Sequence, residues 1–141
     1  MTIVPDFKSF QSLAAKGNLI PVRLELPADL ETPVSAFAKL TRWGKAKRSF
    51  LLESVEGGEK VGRYSYLGVD PDIVLETRAR KGQEWVGGKK RSFEVAKDPL
   101  EELKTRMAAY RPVAVPGLPP FWGGAVGYLS YDCVRFFEKI P

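Results

Sequence analysis

Between Ser49 and Val95 the chain reads as a run of short strands joined by links too short to hold a crossover helix. Strand signals cover Phe50 to Val55, Tyr64 to Val69, Ile73 to Thr77, Gln83 to Val86 and Arg91 to Val95. Gly57-Gly58, the stretch from Gly68 to Asp72, and Gly87-Gly88 separate them. A parallel connection needs a dozen or more residues, so neighbouring strands here must turn back on themselves. Gly87-Gly88 is the strongest hairpin signal, because two-residue turns of the favoured hand need positive φ at both positions. Upstream, Ile20, Val22, Leu24 and Leu26 alternate with Pro21, Arg23 and Glu25, the pattern of a strand with one covered face. Pro21 marks its beginning or an edge. Phe50-Leu51-Leu52 is a continuous apolar run, predicting a strand covered on both faces with a polar end at Glu53-Ser54. A last strand is expected from Ala125 to Tyr131, with its glycines allowing close backbone approach. The stretch from Arg111 to Pro120, with four prolines and a glycine, reads as a linker.

Three segments carry helix signals. Phe7, Phe10, Leu13 and Ala14 recur at helix spacing after Asp6, and Gly17-Asn18 supplies the stop. Thr32-Pro33 is an N-cap followed by proline at the first helical position, and Val34, Phe37, Ala38 and Thr41 form one face. Asp98-Pro99 repeats that arrangement, with Glu101 at the third position and a stripe of Leu100, Leu103, Met107 and Tyr110. The residue before Pro112 ends it. The fold class is therefore α+β, an antiparallel or mixed β-sheet with about three helices. At 141 residues, the whole of 1–141 is expected to be one domain.

Composition narrows the chemistry. Apolar residues make up 44% and charged residues 28%, which suits a packed core on a soluble body. No apolar run is long enough to span a bilayer, and the start from Met1 to Asp6 lacks the basic and apolar regions of a secretory signal. One cysteine, Cys133, excludes an internal disulfide and suits a reducing, cytoplasmic setting; it is expected to be a small buried residue. There is no histidine, which removes the commonest general base and makes a zinc site a poor expectation. The net charge of +5 is concentrated between Lys45 and Lys97, which hold twelve basic and eight acidic side chains. Lys89-Lys90-Arg91 sits beside the Gly87-Gly88 turn, where solvated charge is the ordinary outcome, so neither nucleic acid nor membrane is expected as a partner.

Four groups could carry chemistry. Glu53 and Ser54 end a buried strand, where a carboxylate is costly unless paired or facing a cavity. Glu53 could receive a ligand ammonium and Ser54 a polar group, or Glu53 could meet Arg63 or solvent. Tyr64 and Tyr66 share one side of a strand with Arg63 and Ser65 on the other; they could frame an aromatic ligand or pack half-buried with wet hydroxyls. Gly123-Gly124-Ala125-Val126-Gly127-Tyr128 is rich in glycine but lacks the lysine and hydroxyl of a P-loop and the spacing of a dinucleotide fingerprint, so phosphate binding is not expected. Asp132 and Glu138 are a carboxylate pair that their spacing does not bring to one site.

The stretches Ala28-Asp29-Leu30-Glu31-Thr32-Pro33, Ser49-Phe50-Leu51-Leu52-Glu53-Ser54-Val55-Glu56, Gly62-Arg63-Tyr64-Ser65-Tyr66-Leu67-Gly68 and Phe121-Trp122-Gly123-Gly124-Ala125-Val126-Gly127-Tyr128-Leu129-Ser130-Tyr131-Asp132 occur in that order. Taken together, they resemble the N-terminal region of anthranilate synthase component I along essentially the whole chain. The resemblance implies a complete enzyme that converts chorismate to anthranilate and pyruvate with magnesium, using ammonia from a glutamine amidotransferase partner. In that family the chorismate and magnesium sites lie in a larger C-terminal domain. The present chain is therefore expected to hold no catalytic residue, no cofactor and no activity of its own. The family's tryptophan feedback site maps onto Leu51, Leu52, Glu53 and Ser54, with Arg63 and Tyr64 as further contributors. It is completed by the C-terminal domain. The partners so implied are L-tryptophan as inhibitor, the chorismate-binding domain and the amidotransferase subunit.

Two other readings compete. Component I of aminodeoxychorismate synthase has the same N-terminal architecture, and its equivalent pocket can hold tryptophan as a structural ligand. A free-standing module binding small molecules or nucleic acid through the basic middle segment is the rival from another class.

Overall fold

The computed structural model describes residues 2–53 and 64–139. It holds helices α1 (Phe7–Ala14), α2 (Pro33–Leu40) and α3 (Pro99–Met107), and a 3-10 helix over Tyr131–Phe136. The strands are β1 (Ile3–Val4), β2 (Arg23–Leu24), β3 (Ser49–Leu52), β4 (Tyr66–Val69), β5 (Ile73–Arg78), β6 (Lys81–Val86) and β7 (Lys89–Glu94). β1 pairs with β2 and β3 with β4, both antiparallel, while β5, β6 and β7 form a three-stranded sheet in that order. The α+β expectation holds. Two units can be distinguished, one made of Met1–Leu26, Leu75–Gln83 and Arg91–Pro141, the other of Pro27–Val74 and Glu84–Lys90.

In the first unit, local chemistry sets the helix starts. Asp6 accepts from Ser9 N at 2.7 Å, and Asp98 accepts from Leu100 N and Glu101 N, both at 2.9 Å, so each cap satisfies amides the helix leaves free. Glu102 reaches back to Ala96 N at 3.2 Å and also pairs with Arg106 at 2.9 Å. The guanidinium of Arg106 lies 4.4 Å from the Phe93 ring centre, and that ring covers Gly82, where a β-carbon would come within 2.1 Å of it. The side chain of Asn18 donates to Ala109 O at 2.8 Å and accepts from Arg111 N at 2.6 Å. Leu19 and Pro112 then form a parallel bridge, and Val113 N donates to Leu19 O at 2.9 Å.

That junction overturns the linker reading of Arg111 to Pro120. Val113 and Val115 are buried, and among the described residues Val95 and Pro99 are buried with them as apolar side chains. Proline bars the stretch from a regular ladder, yet an extended backbone still sends alternate side chains inward. The expected strand from Ala125 to Tyr131 is absent as well. Its backbone pairs with no neighbour among the described residues, Tyr128 is 92% exposed and Tyr131 88%, and a β-carbon at Gly123 or Gly127 would meet nothing within 4 Å. A strand needs a partner to form, and none pairs with this stretch among the described residues. Cys133 is half-buried, not buried, and its sulfur lies 3.8 Å from Ser130 Oγ.

Strand lengths also change. The alternating stretch from Ile20 to Leu26 pairs only at Arg23 and Leu24, because β1 offers just two residues. Arg23 anchors the neighbourhood by binding Glu25 and, at 3.0 Å, Gly117 O. The stripe on α3 stays largely exposed at Leu100, Met107 and Tyr110.

In the second unit, Thr32 and Ser35 form a reciprocal capping box, with Ser35 N to Thr32 Oγ1 at 3.1 Å and Thr32 N to Ser35 Oγ at 2.9 Å. The C-terminus of α2 closes in a Schellman arrangement, with Trp43 N to Ala38 O at 2.8 Å and Arg42 N to Lys39 O at 3.0 Å. The left-handed residue this needs is Arg42 (φ 51), and Trp43 (φ 57) and Gly44 (φ 86) continue in the same region. A side chain there costs about 1–2 kcal/mol, which is why glycine usually fills the first position. Thr41 is buried and donates to Ala38 O at 3.1 Å. α2 packs against β3 and β4. Gly87 (φ 54) and Gly88 (φ 78) both adopt positive φ between β6 and β7, as the hairpin reading requires.

Candidate functional site

The β3–β4 pair positions the residues singled out from the sequence. Its register sets Ser49 opposite Val69, Phe50 opposite Gly68, Leu51 opposite Leu67 and Leu52 opposite Tyr66. Gly68 has no side chain because the Phe50 ring takes its place, with a β-carbon there meeting the ring at 2.5 Å. This cross-strand fit holds the register. At the far end of the ladder, Glu53 leaves β3 and Tyr64 leads into β4, so both stand at the same end of the pair.

Burial at this end differs from the expectation of a strand covered on both faces. Phe50 and Leu51 are half-buried, Leu52 is 47% exposed and Glu53 is exposed. A run of apolar residues can look fully covered in sequence while the covering element lies elsewhere, and α2 packs on this pair without enclosing it. Tyr64 is 37% exposed and its ring stacks on Tyr66 with centres 6.0 Å apart and an interplanar angle of 28°. The two rings thus share a side of the chain, as their alternate spacing indicates. Leu52, Tyr64 and Tyr66 make an open aromatic ledge, and the exposed Glu53 follows Leu52 at the same ladder end. Ser54 and Arg63, the other two residues expected at this site, lie outside the described residues.

What such a ledge can do is limited by its openness. Offset aromatic rings offer a face on which another planar apolar ring can stack, and an exposed carboxylate at the same ladder end can bind an ammonium group. Among the described residues, no group of three or more Cys, Asp or Glu side chains is gathered as a metal site. Asp132, considered above with Glu138, pairs with Arg135 at 3.8 Å. Among the described residues, no helix is long and apolar enough to cross a membrane.

Sequence reasoning did not find one feature. Trp85 on β6 has two cations near its ring, the Arg48 guanidinium 5.5 Å and the Lys90 ammonium 5.2 Å from its centre. The Lys89-Lys90-Arg91 run is exposed, as expected of charge beside a turn, but its convergence with Arg48 needed the fold.

Comparison with known proteins gives a consistent result. The chain is 45% identical over 141 residues to anthranilate synthase component 1 of Synechocystis sp., covering 99% of this chain and 27% of that protein. It is 41% identical over 140 residues to anthranilate synthase component 1 of Aquifex aeolicus, covering 99% of this chain and 28% of the relative. A probable anthranilate synthase component 1 of Schizosaccharomyces pombe is 43% identical over 140 residues, covering 98% of this chain and 25% of the relative. The chain therefore spans about a quarter of the length of the curated relatives it matches. No family model matches it, and no solved structure matches it significantly. On the strength of these relatives, the chain belongs to the anthranilate synthase component 1 family as its N-terminal region.

Proposed function

We propose that this N-terminal region of an anthranilate synthase component 1 is the non-catalytic, regulatory part of an enzyme making anthranilate and pyruvate from chorismate. Ammonia would come from a glutamine amidotransferase subunit. The chorismate and magnesium sites belong, in this reading, to the larger remaining domain, and the assembled enzyme works in the cytoplasm. The end of the β3–β4 pair contributes half of an L-tryptophan feedback pocket, with Leu51, Leu52, Glu53, Ser54, Arg63 and Tyr64 as its residues.

The observation that carries this is an exposed carboxylate at the same ladder end as a pair of stacked tyrosines. Glu53 emerges from β3 at the end where Tyr64 stacks on Tyr66. Tryptophan offers an ammonium for the carboxylate and an indole ring for the leucines and tyrosines. The ledge encloses neither group, which fits half of a site. Exposed apolar side chains elsewhere support the reading that more protein covers this chain. Among the described residues, Val95, Pro99, Val113 and Val115 are the buried apolar side chains, while Leu30, Trp43, Tyr128, Tyr131 and Phe137 stand exposed. Soluble monomers rarely leave so much apolar surface open.

Regulation then follows from domain linkage. Tryptophan held between this region and the catalytic domain favours the arrangement in which it fits best. It can inhibit only by as much as its affinity differs between arrangements. In the full-length enzyme, Ser54→Phe fills the space a ligand needs and Glu53→Ala removes the ammonium partner. Each is expected to relieve tryptophan inhibition while sparing the uninhibited rate, as measured by anthranilate fluorescence. Inhibition curves that coincide with the parent's would defeat the assignment. The relatives' names favour anthranilate over aminodeoxychorismate as product, and product analysis of the full-length enzyme distinguishes the two.

A further inference from the structure

We draw no further inference here: the strongest candidate, the surface patch of Tyr128, Leu129 and Tyr131 on the stretch leading into the 3-10 helix, is exposed apolar surface with nothing in the structure to show what covers it.

Discussion

Replacing Gly17 by alanine should loosen the first unit at one identifiable place. A β-carbon on Gly17 would lie 2.3 Å from the backbone oxygen of Arg111 and 2.6 Å from Val113 Cγ2. Ordinary contact between such atoms is about 3.5 Å, so the methyl group must displace its neighbours by roughly an ångström. The neighbours are held. The Arg111 carbonyl accepts from Asn18 N at 3.1 Å, Asn18 bridges Ala109 and Arg111, and Val113 N is bonded to Leu19 O at 2.9 Å. Overpacking of this kind costs about 1–3 kcal/mol, and the stiffer alanine offsets roughly 0.4–1 of that through the unfolded chain. Backbone is the obstacle here, not a flexible side-chain tip, so the upper part of the range applies and a net loss of about 2 kcal/mol is expected. Because Val113 is one of the buried valines, the loss should appear as local opening. Amide hydrogen exchange of the full-length enzyme should speed at Asn18, Leu19 and Val113 by about thirtyfold, the equivalent of 2 kcal/mol. Gly123→Ala is the control, since its β-carbon meets nothing within 4 Å. If exchange at those three amides is the same in both variants, the steric argument is wrong.

Other outcomes follow from the same geometry. Asp98→Ala removes the acceptor for two amides of α3 and should cost about 1 kcal/mol, read as a lower urea midpoint; Asp98→Asn should recover most of it. Arg42→Gly relieves a left-handed residue, and after the entropic cost of glycine it should leave stability unchanged or raise it by up to about 1 kcal/mol. The carboxyls of Glu31, bonded to Lys39 and Ser35, and of Glu102, bonded to Arg106 and Ala96 N, are held below their ordinary range. A carboxyl with a lowered folded value stabilises above its unfolded value, and that contribution fades as the pH drops through the folded value. Stability should therefore fall below about pH 4, and less steeply in Glu102→Gln, when urea midpoints are compared across pH.

How much of this was legible in the sequence depends on the range of each interaction. Thr32 and Asp98 were readable as caps because a cap is made within three residues of itself. Gly87-Gly88 was readable because the turn's own dihedral angles demand glycine. The strand expected from Ala125 to Tyr131 failed for the opposite reason: alternation announces a strand that could form, and pairing decides whether it does. Val113 and Val115 were hidden by prolines that mark irregular backbone but say nothing about burial. At the candidate site, Glu53 and Tyr64 were visible as residues of the right kind. Their placement at one ladder end was set by the register of Leu52 with Tyr66, which Phe50 and Gly68 lock through space. The cations around Trp85 were invisible for the same reason, since Arg48, just before β3, and Lys90, in β7, lie 42 residues apart in sequence.

The central claim is that the end of the β3–β4 pair holds part of a bound tryptophan. Calorimetric titration of L-tryptophan into the full-length enzyme and its Glu53→Ala variant tests it most directly. Loss of a hydrogen-bonded charge partner for the ammonium is expected to weaken binding by about tenfold or more, given roughly 1.5–3 kcal/mol for such a bond. Chorismate turnover without tryptophan should be unaffected. An equal tryptophan Kd in parent and variant would contradict the account.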